Sequence, residues 1–455
     1  MHLSLNKGAE NEISSFISVI DKTEIRPILE SIYKDTNEFF YWDKPESGFT
    51  LLGIGSTYQI KKNGDSRILE TEAKINSIRD KIYHNWSSIP LKSFPFFMGG
   101  MKFAANEKSD LWEDYQDSDW FIPRFIVLTQ GIESFLVFNF DFKSDEKENL
   151  LKEFQNFSEL ISNSSNTKLS KFDENFVGIK ISNKETELND WELKINAALN
   201  KIKSGNIQKI VLSRMVSQDL SHNPPIPYIM EILAKKYPLC YIFAFKKSDS
   251  IFFGASPEML AKVDDGWIEA DALAGSSPRG INEAEDKLFE NELLSSPKNL
   301  MEQKAVVDFI VNAFNSFSDD LIFEKVPIIR KLSNIQHLWT PIRAKLKKGK
   351  DVFSIIKEIH PTPAICGAPW SEALGSIIEM EEHSRGLFTG TVGWFNFSGE
   401  GEFAVAIRSA LIKNKKLFAF AGCGIVEGSD PVSEFNEAEL KLKPILSLFE
   451  NDSKN

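Results

Sequence analysis

The run GLFTGTVGWFNFSGEGEFAVAIRSALIKNKKLFAFAGCGIV, residues 386–426, decides the architecture. It holds three apolar segments, 386–397, 401–412 and 416–426, rich in Phe, Val, Ile and Trp and separated only by short polar turns. Strands that follow one another this closely pair antiparallel, because a parallel crossover needs a dozen or more residues. Upstream, KIVLSRMV (209–216) reads as a strand of buried type, and LCYIFAFK (239–246) and IFFGAS (251–256) as two more. Trp191, Ile195, Ala198 and Ile202 recur at helical spacing, with Asn189 or Asp190 as the expected cap and Gly205 as the stop. Further helices are predicted over Glu283–Ser295 and Asn299–Phe317, and a last one opening at Pro431 with Asp430 as cap. The fold class is therefore α/β of the α+β type: largely antiparallel sheets with helices packed on them, not a doubly wound parallel sheet.

The first half is plainer. FTLLGIGSTYQI (49–60), FPFFMGGMKF (94–103) and WFIPRFIVL (120–128) read as strands and loops of a sheet, with no catalytic motif. SNSSNTKLS, residues 162–170, is polar and rich in turn formers, and reads as a linker. The chain has 455 residues, 42% hydrophobic and 26% charged, enough apolar side chain for a large core. A net charge of −12 argues against nucleic acid or an anionic membrane as partner, and means that an anionic substrate needs local cations or a metal. Three scattered cysteines without a C-x-x-C pair fit a reducing cytoplasm better than disulfides or structural zinc. MHLSLNKGAENEISS lacks the features of a signal peptide, and no run reaches the roughly 18–20 apolar residues of a membrane span.

Several charged residues sit where the surrounding pattern is apolar. Glu302 falls on the stripe Val306, Ile310, Ala313, Phe317; it is either a carboxylate needing a partner or a wet helix-start glutamate. Glu434, Glu437 and Lys441 form a polar stripe beside Phe435, Ala438 and Leu442, which a surface ion pair would also explain. Carboxylates from two helices suit Mg²⁺, a hard cation that takes few protein oxygens. Lys209 opens an apolar strand, where burial would make it a usable base and snorkelling would leave it idle. Glu258, just past a strand in GASPEML, becomes an acid if an apolar cleft holds it. Arg408 stands at the centre of the apolar EFAVAIRSALI, a costly place without an anionic partner. LAGSSPRG and AGCGIV can bring backbone N–H groups to a carboxylate, and neither fits a Walker A or Rossmann fingerprint.

Taken in order, KIVLSR, GASPEML, ALAGSSPRG, NLMEQKAVV, HPTPAICG, GLFTGTVGW, FAVAIRSALI and AGCGIVEGSDPVSEFNEAELK resemble the chorismate-utilising enzymes, and among them the isochorismate synthases. The motifs run from about residue 205 to 441; the N-terminal half matches loosely. The resemblance implies two interlocked halves, each with a large antiparallel sheet and helices outside, divided into a sheet-forming 1–185 and a chorismate-binding catalytic 186–450. It implies Lys209 as general base activating water at C2 of chorismate, and Glu258 as general acid for the departing C4 hydroxyl. Glu302 and Glu437 would hold Mg²⁺, with Glu434 acting through a water on it. Arg408, Lys441 and the backbone at Gly275, Ser276 and Gly422 would grip carboxylates, with His337 near the ring.

The stiff loop HPTPAICGAP, 360–369, would form the pocket wall, with His360 structural and Cys366 a small packed residue. Isochorismate synthases of this family carry alanine at the position of Ala364, whereas relatives making anthranilate or salicylate carry threonine. Ala274 stands where aminodeoxychorismate synthases carry a covalent lysine, and no glutamine-amidotransferase segment is present. Phe435 and Cys423 depart from the tryptophan and the small residue usual at their positions, which bears on pocket packing. The expectation is a cytoplasmic, monomeric enzyme acting on chorismate without nucleic-acid or membrane partners, feeding menaquinone or catechol siderophore synthesis. A salicylate-forming relative and a non-catalytic chorismate binder are the competing readings.

Overall fold

The computed structural model describes residues 13–86, 94–107, 109–141, 146–164, 166–173, 176–180 and 183–450. The segment read for a signal peptide lies mostly outside these residues. Two large sheets form the body, one of 13 and one of 10 strands among the described residues. Their pairings are antiparallel, except where Ile13–Ile20 runs parallel to Ile82–His84.

The strand Glu38–Lys44 explains the layering. Phe39 and Tyr41 join one buried cluster with the helices Ile25–Ile32 and Ile226–Lys236, while Phe40 and Trp42 join another. That second cluster mixes residues of both sheets, such as Phe243 and Phe252 with Met98, Phe121 and Trp394, so it is the core between them. Strands buried on both faces read as continuous apolar runs instead of alternating. The outer face of the smaller sheet is covered by the helices Arg67–Arg79, Pro297–Phe317 and Val352–Ile359. Helices thus lie outside and an aromatic layer inside.

Each sheet draws on both halves of the chain. In the larger, Tyr241–Lys247 pairs with Glu38–Lys44; in the smaller, Thr391–Phe395 pairs with Phe97–Met101. The linker expected at 162–170 overlaps the end of the helix Lys147–Ser164. The helix expected from Trp191 begins earlier, at Lys184, capped by Asn183, whose side chain accepts from the Thr186 N–H. Only Leu188 among residues 184–190 extends the apolar stripe, three residues before Trp191 and packed on the same cluster, so the polar first turn hid the start.

The run that opened the sequence reading holds a larger correction. GLFTG is not strand; the strand begins at Thr391. GEFAVAIRSALI is two strands: Gly401–Val405 in the smaller sheet and Ser409–Lys413 in the larger. Arg408 is therefore not at a strand centre but at the crossing between sheets, with φ +52. That left-handed conformation costs an arginine about 1–2 kcal/mol. A second crossing lies beside it: Ser250–Ser256 belongs to the larger sheet, Met259–Asp264 to the smaller, and Pro257–Glu258 bridges them. The two crossings are tied by Ala255 N–H donating to Arg408 O (3.1 Å) and Val405 N–H donating to Glu258 O (3.1 Å).

Candidate active site

A cavity opens at these crossings, and Glu258, Arg408, Gly275, Ser276, His337, Ala364, Gly422, Lys441, Glu302 and Glu437 all line it. Lys209 and Glu434 stand directly behind the lining, each joined to a carboxylate or ammonium of this region. Residues far apart in sequence, singled out as charges in apolar surroundings, thus converge on one place.

Glu258 is 3% exposed. Burial, reinforced by the nearby Asp271 carboxylate, pushes its pKa up to about 8 against the opposing pull of Lys209, Lys441 and Arg408. At neutral pH it carries a proton and can donate it.

Lys209 is 3% exposed, so it does not snorkel; its Nζ donates to Glu302 Oε1 at 2.8 Å. Gly424 makes this pair possible. A Cβ there would stand 2.6 Å from Glu302 Oε1 and 2.7 Å from Lys209 Cε. On the buried helix face, Phe314 rather than Ala313 continues the stripe through Val306, Ile310 and Phe317.

Glu434, Glu437 and Lys441 do not make a surface stripe. Glu434 is 2% exposed and accepts from Lys298 Nζ (2.7 Å). Lys441 Nζ donates to Gly422 O (3.0 Å) and pairs with Glu437 Oε1 (2.6 Å). Burial works against both members of the latter pair. Their mutual attraction overrides it, holding the Glu437 carboxyl below and the Lys441 ammonium above their ordinary pKa values.

His337 links the turn at Gly275 to Arg408. Arg408 Nη2 lies 3.3 Å from His337 Nε2, and a guanidinium can only donate. Nε2 therefore accepts, and Nδ1–H faces Gly275 O (3.2 Å) and Ser276 Oγ (3.1 Å). Burial and then the Arg408 charge push the imidazole pKa well down, consistent with this neutral form. Gly275 has φ +71 where the pairing of Trp267–Pro278 with Ile335–Leu346 slips by one residue. This bulge re-aims Ser276 toward the cavity. Burial also lowers the Arg408 pKa, to about 10.

The proline-rich segment follows the helix Val352–Ile359 and forms a wall, with Ala364 and Ile365 on the cavity. Val211 N–H donates to Cys366 O (2.8 Å), and Gly367–Ala368 pairs with Lys209–Ile210. The wall is stitched to the strand that carries Lys209. His360 is buried and absent from the lining; burial and the Arg67 charge take its pKa down to about 3.

Sequence reasoning missed Arg385, Ser213 and Thr389, all on the cavity, and Glu381 behind them. EEHSRG reads as a polar loop, yet Arg385 is 1% exposed. The one available signal was a Glu–Arg pair four residues apart just before a buried strand. Lys298, partner of Glu434, was also passed over.

Among the described residues, no group of three or more His, Cys, Asp or Glu side chains is gathered to hold a metal. Glu302 and Glu437 nevertheless fit a hard divalent cation: both line the cavity, and each carboxylate already binds a positive charge there. Gly424 leaves the Glu302 carboxylate room that a side chain would fill. Mg²⁺ is held by one or two carboxylates plus substrate and water.

The family described as chorismate binding enzyme matches residues 2–450. The chain belongs to the chorismate-binding enzymes. The isochorismate synthase MenF of Bacillus subtilis (strain 168) is 32% identical over 421 residues, 91% of this chain and 88% of its own length. The salicylate biosynthesis isochorismate synthase of Pseudomonas aeruginosa is 29% identical over 411 residues, 88% and 83% of the two chains. Among solved structures, MenF, the menaquinone-specific isochorismate synthase from Escherichia coli, has a TM-score of 0.77 at 20% identity, covering 97% of this chain and 96% of that one. These likenesses bear out the expected fold: mixed α/β, with large sheets and helices outside. No described helix of this chorismate-binding enzyme is long and apolar enough to cross a membrane.

Proposed function

We propose that this enzyme converts chorismate to isochorismate. The observation that carries the reading is the buried Glu258 acid and the buried Lys209 amine gathered around one cavity beside Arg408 and Lys441. It is supported by similarity along nearly the whole chain to the Bacillus subtilis enzyme. The cavity lining runs from Val211 to Lys441, which favours 186–450 as the catalytic region.

In this reading Lys209, as the free amine, takes a proton from water as its oxygen bonds to C2. The ring double bonds shift, the C4–O bond breaks, and Glu258 gives its proton to the departing hydroxyl, which leaves as water. Proton transfer from the Lys209 ammonium back to the Glu258 carboxylate restores both groups, so the reaction is a net isomerisation. Arg408, Lys441 and the N–H groups near Gly275, Ser276 and Gly422 orient the substrate carboxylates, and His337 fixes the Arg408 guanidinium. Glu302 and Glu437, with Glu434 behind them, would hold Mg²⁺, which supplies positive charge for a substrate carboxylate. Ala364 leaves the wall small and apolar next to the ring.

We read the enzyme as a cytoplasmic monomer; its three free, buried cysteines fit a reducing compartment. Its product would feed menaquinone synthesis, with catechol siderophores as the second destination.

The test is product analysis after incubation with chorismate, with Mg²⁺ or with EDTA, and without ammonia. Isochorismate formed only with Mg²⁺, approaching a mixture with chorismate, supports the proposal. Salicylate and pyruvate would overturn the role given to Ala364. Chorismate bound without turnover would overturn the assignment of catalysis.

A further inference from the structure

We infer that Arg385 is a positioning residue that fixes the cavity wall against the strand carrying Lys209. The cavity contains two arginines, Arg408 and Arg385, and hydrogen-bond accounting separates them. Every N–H of the Arg385 guanidinium is committed to protein. Nε donates to Glu381 Oε2 (2.8 Å). Nη1 donates to Ile365 O (2.9 Å) and Thr389 Oγ1 (3.3 Å). Nη2 donates to Val211 O (2.7 Å) and Glu381 Oε1 (2.6 Å). With the planar fork fully engaged, no donor remains for a substrate carboxylate.

The partners reveal what the fork holds. Val211 is two residues from Lys209; Ile365 follows Ala364; Thr389, with φ +57, lies in the turn before the strand Thr391–Phe395. One side chain thus ties three segments of the cavity wall together. Glu381 extends the tie, because its Oε1 also accepts from Ser213 N–H (2.7 Å) and Ser213 Oγ (3.0 Å). It balances the arginine charge in a place where an unpaired charge would be costly. The guanidinium also lies 4.4 Å from the centre of the Phe103 ring. Lysine keeps the charge but cannot bridge two carbonyls and a carboxylate at fixed angles.

The inference rests on the cavity being the reaction site, so its test has one arm that needs no turnover. In Arg385→Lys, kcat should fall about tenfold or more while KM for chorismate stays within about threefold, as expected when reacting groups are misplaced without loss of binding contacts. Amide hydrogen exchange in 361–368 should quicken by about tenfold. A KM rise with unchanged kcat would make Arg385 a substrate ligand and overturn the inference. Unchanged kcat per folded molecule would reduce it to a stability role, and unchanged exchange in 361–368 would show that the tie does not hold the wall. Glu381→Gln provides the same readings if Arg385→Lys does not fold. Failure of the wild type to turn over chorismate would strike the proposed function, leaving the exchange arm to decide on Arg385.

Discussion

The same two sheets meet in two different ways. In the middle they are joined by aromatic rings: Phe40, Trp42, Phe121, Phe243 and Phe252 are all fully buried. At the crossings they enclose Lys209, Glu258, Arg408, Glu437 and Lys441, charged or ionisable groups in contact with a cavity or one shell behind it. The first arrangement gains free energy from apolar area removed from water; the second works against desolvation and balances only through ion pairs. Stability and chemistry are therefore expected to answer to different substitutions.

The sharpest test is Glu258→Gln. It should lower kcat/KM by about 10²–10⁴, the usual share of a general acid, with little change in thermal stability near neutral pH. Near-normal turnover in steady-state assays would break the comparison at its chemical end. Trp42→Ala tests the other end. Denaturant unfolding should register a loss of about 3–5 kcal/mol, while kcat per folded molecule stays close to wild type. Gly424→Ala lies between them: it should push Glu302 and Lys209 apart and reduce kcat/KM by about tenfold or more, with the fold intact by circular dichroism.

The smallest effect is one of pH. Glu258 has a folded pKa of about 8, above its unfolded value. Its contribution to stability is complete below the unfolded pKa and is lost as pH rises through the folded one. Between pH 5 and 9, wild-type Tm should fall relative to Glu258→Gln by a few degrees. The kcat/KM profile of wild type should decline above about pH 8. A constant Tm difference across that range would remove the buried acid from the account.

What the sequence made legible follows the same division. Lys209, Glu302 and Arg408 stood out because each interrupts an apolar pattern, and a charge there needs a reason. The strands of the aromatic layer were legible as elements but not as partners: nothing in FTLLGIGSTYQI or FPFFMGGMKF specifies which later strand it meets. The crossing at Arg408 was hidden because the apolar run continues from one sheet into the next without glycine or proline to mark the break. Arg385 was hidden for the opposite reason: its neighbours are polar, and its burial comes from Val211 and Ile365, segments distant in sequence.

The paired crossings carry a consequence for how the molecule can be altered. Glu258 and Arg408 are 150 residues apart along the chain, but the amides of Ala255 and Val405 bind their two backbones edge to edge. The acid and the arginine opposite it thus keep their alignment through transverse bonds, not through the covalent path between them. The exposed turns between them, the hairpin tip Asp265–Gly266 and the segment Lys348–Lys350 ahead of the helix Val352–Ile359, should then tolerate lengthening or even cutting and rejoining without retuning the chemistry. The enzyme is, in this sense, indifferent to the route its chain takes between the two residues.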